Sequence, residues 1–277
     1  METLSKEVNK PRAIIQIIHG ASEHINRYED FANYLQSKDY NVYGINNSGH
    51  GEKMLNNTHH LNSTQEILAE LKRENIKYQK LNLPIYVIGH SMGSILLRNL
   101  IIDEDYKVDK VILIGITNPP KFKLYAGKYF LKLLILIQGS RKVNKVVDRL
   151  LFKEFEVQMK RKYQTKNWLT TNEVVYQAYL KDKACSNPFT NQGAKVLLEL
   201  TIKSVQLKAI QKLEQKDYLI LIGANDPVSN FTKEIKVLEK KVIKKLNYKV
   251  YPKLRHEILN EINCNEVYED IIKFLAK

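Results

Sequence analysis

Cysteine is almost absent from this 277-residue chain: Cys185 and Cys264 are the only two, and neither sits in a C-x-x-C pair. A disulfide framework is excluded, and a reducing compartment is expected. Long apolar runs are missing too. The longest, residues 129–137 (YFLKLLILI), is interrupted by Lys132 and falls far short of the roughly 20 residues that cross a bilayer. Residues 1–10 mix acidic, basic and polar side chains with no apolar h-region, so no secretory signal is expected and the protein reads as cytoplasmic. There is no internal repeat and no Pro- or Ser-rich linker. Metal-ligand spacing is lacking as well: His59 and His60 are adjacent and cannot face one ion from one side of a helix, so no metal and no cofactor is expected.

Acidic residues are scarce relative to basic ones. The formal net charge is +14, and the segment 121–195 holds sixteen Lys and Arg against five Asp and Glu. Such a surplus suits nucleic acid, anionic lipid or acidic substrates, and equally a lysine-rich surface that keeps the protein soluble. No basic motif interleaved with aromatics is present, so nucleic acid is not an expected partner.

What the chain does contain is an alternation. Short β-branched runs at 13–18 (AIIQII), 41–45, 84–88, 111–116 (VILIGI), 218–222 (YLILI) and 247–251 read as six strands. Helical spacing fills 28–37, 66–79, 94–102, 231–242 and 266–275 between and after them. This pattern predicts an α/β fold with a mostly parallel sheet covered on both faces. With 44% hydrophobic residues the chain can bury a large core. Residues 118–213 break the alternation, read as mostly helical and carry most of the positive charge. They are expected to form a cap inserted between two strands, leaving 1–117 and 214–277 as the core, with the cap over the carboxyl ends of the strands where open α/β sheets place ligands.

Gly89-His90-Ser91-Met92-Gly93 is a G-x-S-x-G between the 84–88 strand and the helix that follows. A serine nucleophile needs a sharp strand-to-helix turn that projects its hydroxyl, glycines that let the backbones approach, and a helix N-terminus aimed at developing negative charge. Serine also needs a base, and the base an orienting acid, in the chain order Ser, Asp or Glu, His. Asp226 follows the 218–222 strand and His256 follows the 247–251 strand. Taken alone, Asp226 before Pro227 is an ordinary turn former and His256 one of seven histidines; together with Ser91 they sit at three strand ends from which they can converge. Met92, just after the serine, and Ala21, in the His19-Gly20-Ala21-Ser22 loop after the first strand, are the expected backbone donors to an oxyanion. Gly20, Gly89, His90 and Gly93 are the supporting loop and elbow positions.

Four blocks resemble the monoacylglycerol lipase and lysophospholipase-like branch (serine aminopeptidase type) of the α/β-hydrolases: His19-Gly20-Ala21-Ser22-Glu23-His24, Gly89-His90-Ser91-Met92-Gly93-Ser94, residues 223–228, and residues 251–261 with Arg255-His256-Glu257 and Asn260-Glu261. The resemblance implies an α/β-hydrolase fold, Ser91, Asp226 and His256 as a catalytic triad, Ala21 and Met92 as oxyanion donors, and hydrolysis of single-chain lipid esters through an acyl-enzyme. One block departs. Where the family carries D-x-R-G-H-G-x-S, this chain reads Asn46-Asn47-Ser48-Gly49-His50-Gly51-Glu52-Lys53. The glycines and His50, which shapes the turn, remain; the Asp, Arg and Ser do not.

The apolar run at 129–137 is expected either to line an acyl tunnel or to form the core of the cap, with the basic flanks holding anionic headgroups or touching an anionic membrane surface. The expected substrate is a small acyl ester or a monoacyl lipid. An aminopeptidase needs cap carboxylates for a substrate ammonium, and the cap has few acids, mainly Asp148, Glu154, Glu156, Glu173 and Asp182. A short-chain carboxylesterase and a non-catalytic binding protein that keeps the fold are the remaining alternatives.

Overall fold

Each β-branched run of the sequence becomes a strand, and all of them join one sheet. The computed structural model describes residues 3–277. The strands are β1 (Thr3–Lys6), β2 (Ala13–Ile18), β3 (Tyr40–Ile45), β4 (Ile85–His90), β5 (Lys110–Ile114), β6 (Asp217–Gly223) and β7 (Tyr248–Tyr251). Their order is β1-β3-β2-β4-β5-β6-β7, with β1 antiparallel to β3 and the other neighbours parallel. The protein therefore has an α/β-hydrolase fold.

Period-2 alternation sorts each strand between two cores. In β2, Ile14 and Ile18 face one apolar cluster while Ala13, Ile15 and Ile17 face the other. The first cluster is completed by α2 (Thr64–Gln79), α3 (Met92–Leu100), α8 (Asn191–Ser204), α9 (Leu207–Glu214) and α10 (Lys233–Glu239); the second by α1 (Glu29–Gln36) and α11 (Asn265–Leu275). Local chemistry sets the ends. Ser63 caps α2 by accepting from the Glu66 N–H at 3.1 Å, so the helix starts before the predicted residue 66.

Between β5 and β6 the chain runs through α4 (Lys121–Gln138), α5 (Lys145–Asp148), a wide turn at Arg149–Lys153, α6 (Glu154–Tyr163) and α7 (Glu173–Lys181) before α8 and α9. Pro119 and Pro120 stop the core and Pro120 precedes α4; Gly139, at φ +90°, ends it. Of the two expectations for 129–137, the core one holds in part: Leu131 is buried and Leu134 packs on the core, while Tyr129, Leu133, Leu136 and Ile137 are exposed. It is Lys123 and Leu124, earlier in α4, that line the central cavity. An 18-residue helix that is apolar nearly all round has more apolar surface than its single seam against α8 can cover.

Candidate active site

The turn from β4 into α3 carries Ser91 with φ 52° and ψ −113°, a conformation that non-glycine residues rarely adopt. Neighbours lock it there. Its N–H donates to Ile114 O at 2.9 Å, and its carbonyl accepts from the Ser94 N–H and the Ser94 hydroxyl. Gly93 is obligatory: a Cβ there would sit 2.0 Å from Ile18 O. Gly89 is crowded in the same way by the carbonyl of Gly93. Met92 begins α3, so its N–H is among those that helix geometry leaves free. On the facing loop, Gly20 lies against the nucleophile position, a Cβ at residue 20 falling 3.2 Å from Ser91 Cβ. Ala21 follows and lines the same cavity as Ser91, Met92 and His256.

Asp226, fully buried, accepts the Val228 N–H on Oδ1 and holds His256 Nδ1 on Oδ2 at 3.0 Å. That contact fixes the proton on Nδ1 and leaves Nε2 with its lone pair. Nε2 is buried and has no hydrogen-bond partner among the described residues. No hydrogen bond joins it to Ser91 Oγ, although both side chains line the same cavity. The ring is clamped on the remaining sides. His90 and Trp168 approach with centroids at 4.8 and 5.2 Å. The Glu257 N–H donates to Leu169 O at 2.7 Å and the His256 N–H to Trp168 O at 3.4 Å. Behind it, Gly115 at φ +61° leaves room that a Cβ would fill at 2.7 Å from His256 Cε1.

A buried charge network stands beside these groups. Arg27 bonds both oxygens of Glu257 at 2.6 and 2.7 Å and Glu23 at 2.7 Å. Glu23 also accepts from the Gly20 N–H, the Tyr28 hydroxyl and His90. Burial alone would raise Glu23, but the His90 contact and the Arg27 charge outweigh it and keep the carboxyl well below its usual range. Burial would likewise lower His90, yet the bond to Glu23 and its charge hold the ring above its ordinary value. The network ties the loop carrying Ala21 to the loop carrying His256.

The departed block is rebuilt with other partners. Asn47 donates its backbone N–H to His19 Nε2 at 2.9 Å and its side chain to His19 O at 3.1 Å. Asn46 accepts the Ile25 N–H and donates to Glu52, while Lys53 bonds Asn46 O and Glu70, and Ser48 bonds Glu70. His50 stacks on His59 at 4.3 Å beneath this turn, away from the cavity.

All of the predicted residues, Ser91, Asp226, His256, Ala21, Met92, Gly20, Gly89, His90 and Gly93, thus meet at one end of the sheet beside a cavity of about 570 Å³. Its apolar lining comes from Leu124, Leu151, Phe152, Phe155, Leu197 and Leu198. Gly115, Trp168 and the Arg27 network were not foreseen. Glycine inside the 111–116 run was the available signal for the first, since an interior strand glycine marks a close approach. For Arg27 it was the Glu23–Arg27 spacing of four.

Comparison with known proteins bears on the fold and the family. The architecture is that of the α/β-hydrolases: a carboxyl esterase of Bacillus coagulans, solved with glycerol, superposes with a TM-score of 0.86 at 21% identity, over 99% of this chain and 97% of that one. A family model, Hydrolase_4 (serine aminopeptidase, S33), matches residues 9–263, and the chain belongs to that family. Human monoglyceride lipase is 34% identical over 92 residues, which are 32% of this chain and 29% of the relative. The phospholipase YtpA of Bacillus subtilis is 34% identical over 89 residues, 32% of this chain and 34% of that protein. The matched stretch thus spans about a third of the length of these curated relatives.

Proposed function

We propose that this protein is a serine hydrolase that cleaves carboxylic esters of single-chain lipids, monoacylglycerol or lysophospholipid, through an acyl-enzyme. The observation that carries the reading is an imidazole oriented by a buried carboxylate, His256 on Asp226 at 3.0 Å, lining the cavity that Ser91 lines from a strained strand-to-helix turn. In this reading Ser91 Oγ attacks the ester carbonyl as His256 Nε2 takes its proton. The Met92 and Ala21 N–H groups hold the oxyanion. Collapse expels the alcohol, which takes the proton from His256, and water repeats the sequence on the acyl-enzyme. Asp226 keeps the ring in the right tautomer and stabilises the imidazolium.

The lining supports a lipid acyl group, as do the names of the relatives. An aminopeptidase would need a free carboxylate for the substrate ammonium. Glu23 and Glu257 are both engaged by Arg27, and burial raises Glu234, the third carboxylate in the cavity, above its usual range. Residues 118–213 serve as the cap. Among the described residues no helix is long and apolar enough to cross a membrane. The exposed Phe122, Tyr129, Leu136 and Ile137, with Lys121, Lys128, Lys132 and Arg141 near them in the chain, suit peripheral contact with an anionic lipid surface.

Labelling by a fluorophosphonate probe, followed by kcat/KM across p-nitrophenyl esters, monoacylglycerols and lysophospholipids, tests this. Labelling should vanish in Ser91→Ala, and medium or long chains should be preferred. Labelling that survives that substitution, or none in the unaltered protein, points to a binding protein; preference for acetyl or butyryl esters points to a short-chain esterase.

A further inference from the structure

We propose that His24, Asp182 and Cys185 form a binding site for a thiophilic divalent transition metal of the Zn2+ type, joining the loop that carries Ala21 to the segment between β5 and β6. A ring nitrogen of His24, a carboxylate oxygen of Asp182 and Sγ of Cys185 all lie within 4.8 Å of one another. Bonds of about 2.0–2.3 Å place the ligands of a tetrahedral ion roughly 3.3–3.8 Å apart, so small side-chain shifts complete the set. Nitrogen, oxygen and sulfur together suit Zn2+ or Co2+ and are foreign to Mg2+ or Ca2+. Three protein ligands leave a fourth position for water.

The ligands are already close together: His24 Nε2 points at Asp182 Oδ2, 2.8 Å away. The Asp182 carboxylate is held in place by the Ala184 N–H at 2.8 Å, as a ligating carboxylate usually is. Cys185 is 4% exposed. The backbone is cross-tied at the same place: the Ser186 N–H donates to Ser22 O, and the Ser22 hydroxyl to Asn187 O. No spacing in the sequence announces the site, because His24 and Asp182 are 158 residues apart.

The test is a Co2+ titration of the full chain without a polyhistidine tag, read by absorption. A single equivalent should raise a thiolate-to-cobalt band that Zn2+ abolishes. The band should be lost in Cys185→Ser and kept in Cys264→Ser, and Asp182→Asn should weaken affinity about tenfold or more. In parallel, Zn2+ at a hundredfold excess over Kd should raise the Tm of the unaltered protein by roughly 5 °C or more, and leave Cys185→Ser unmoved. The Tm of that variant without metal shows that it folds. No thiolate band in the unaltered protein, a band lost only in Cys264→Ser, or a Zn2+ shift that persists in Cys185→Ser overturns the proposal. Labelling of Ser91 is read separately, so failure here leaves the hydrolase reading standing.

Discussion

The carboxyl edge of the sheet and the α4 helix obey different rules. At the edge, Asp226, His256, His19 and His90 are polar and buried, and each finds hydrogen-bond partners. On α4, Phe122, Leu136 and Ile137 are apolar and 69–83% exposed. One region has put polar groups inside and tied most of their atoms, leaving Nε2 of His256 and of His90 without a partner among the described residues; the other has left apolar groups outside. Burying a polar group is least costly where geometry supplies partners, so the edge is specific in its arrangement. Exposed apolar side chains demand no geometry, so the proposed contact of α4 with a lipid surface needs no fixed register.

The contrast is sharpened first at its most demanding point. Ser91→Ala should lower kcat/KM on a p-nitrophenyl ester by a factor of about 10⁴ or more while leaving the Tm within a degree or two; a loss under tenfold would break the reading of the edge as catalytic. Next, Arg27→Met strips two buried carboxylates of their partner. It should lower the unfolding free energy from urea titration by about 3–5 kcal/mol, against near zero for Leu136→Ser on α4.

A third effect comes from pH. Burial lowers His19 and His59 to about 4, and lowers His50 well below its ordinary 6.5. These rings stay neutral in the fold, whereas the unfolded chain takes up protons near 6.5. Their contribution is therefore complete above pH 6.5 and drains away as pH falls toward 4, about 3 kcal/mol at most for each of His19 and His59. His90, raised, opposes them. The Tm should drop between pH 6.5 and 4.5, and His59→Gln should flatten that slope. A smaller change is expected for Gly115→Ala: its methyl collides with the His256 ring, and kcat should fall roughly 10- to 100-fold with little change in KM. Last, Leu136→Ser with Ile137→Ser should weaken sedimentation with phosphatidylglycerol vesicles several-fold and leave the hydrolysis of a water-soluble ester as it was. Equal binding to phosphatidylcholine vesicles would show that the basic charge plays no part.

Legibility followed the same division. Strands β2 to β7 were visible because apolar β-branched runs bounded by turn residues have few other uses. The edge was visible because the chemistry restricts residue type and chain order: glycines around a serine, then a carboxylate, then a histidine. Strand β1 (TLSK) was not. Four residues with only Leu4 buried carry no pattern, and its pairing comes from the free edge of β3. Nor could spacing reveal that Trp168 packs on His256, since that contact depends on how the inserted segment returns to the core. On α4 the composition was plain and its orientation was not: an apolar run with a lysine inside fits a buried seam and an exposed face equally well.

One contact reaches beyond geometry. The backbone amides of residues 256 and 257 are tied to carbonyls 168 and 169, which belong to the segment arching over the cavity. The placement of the imidazole is thus shared between two distant parts of the chain. A substitution that shifts residues 168 and 169 should shift His256 with them, although neither position lies near Ser91 in the sequence.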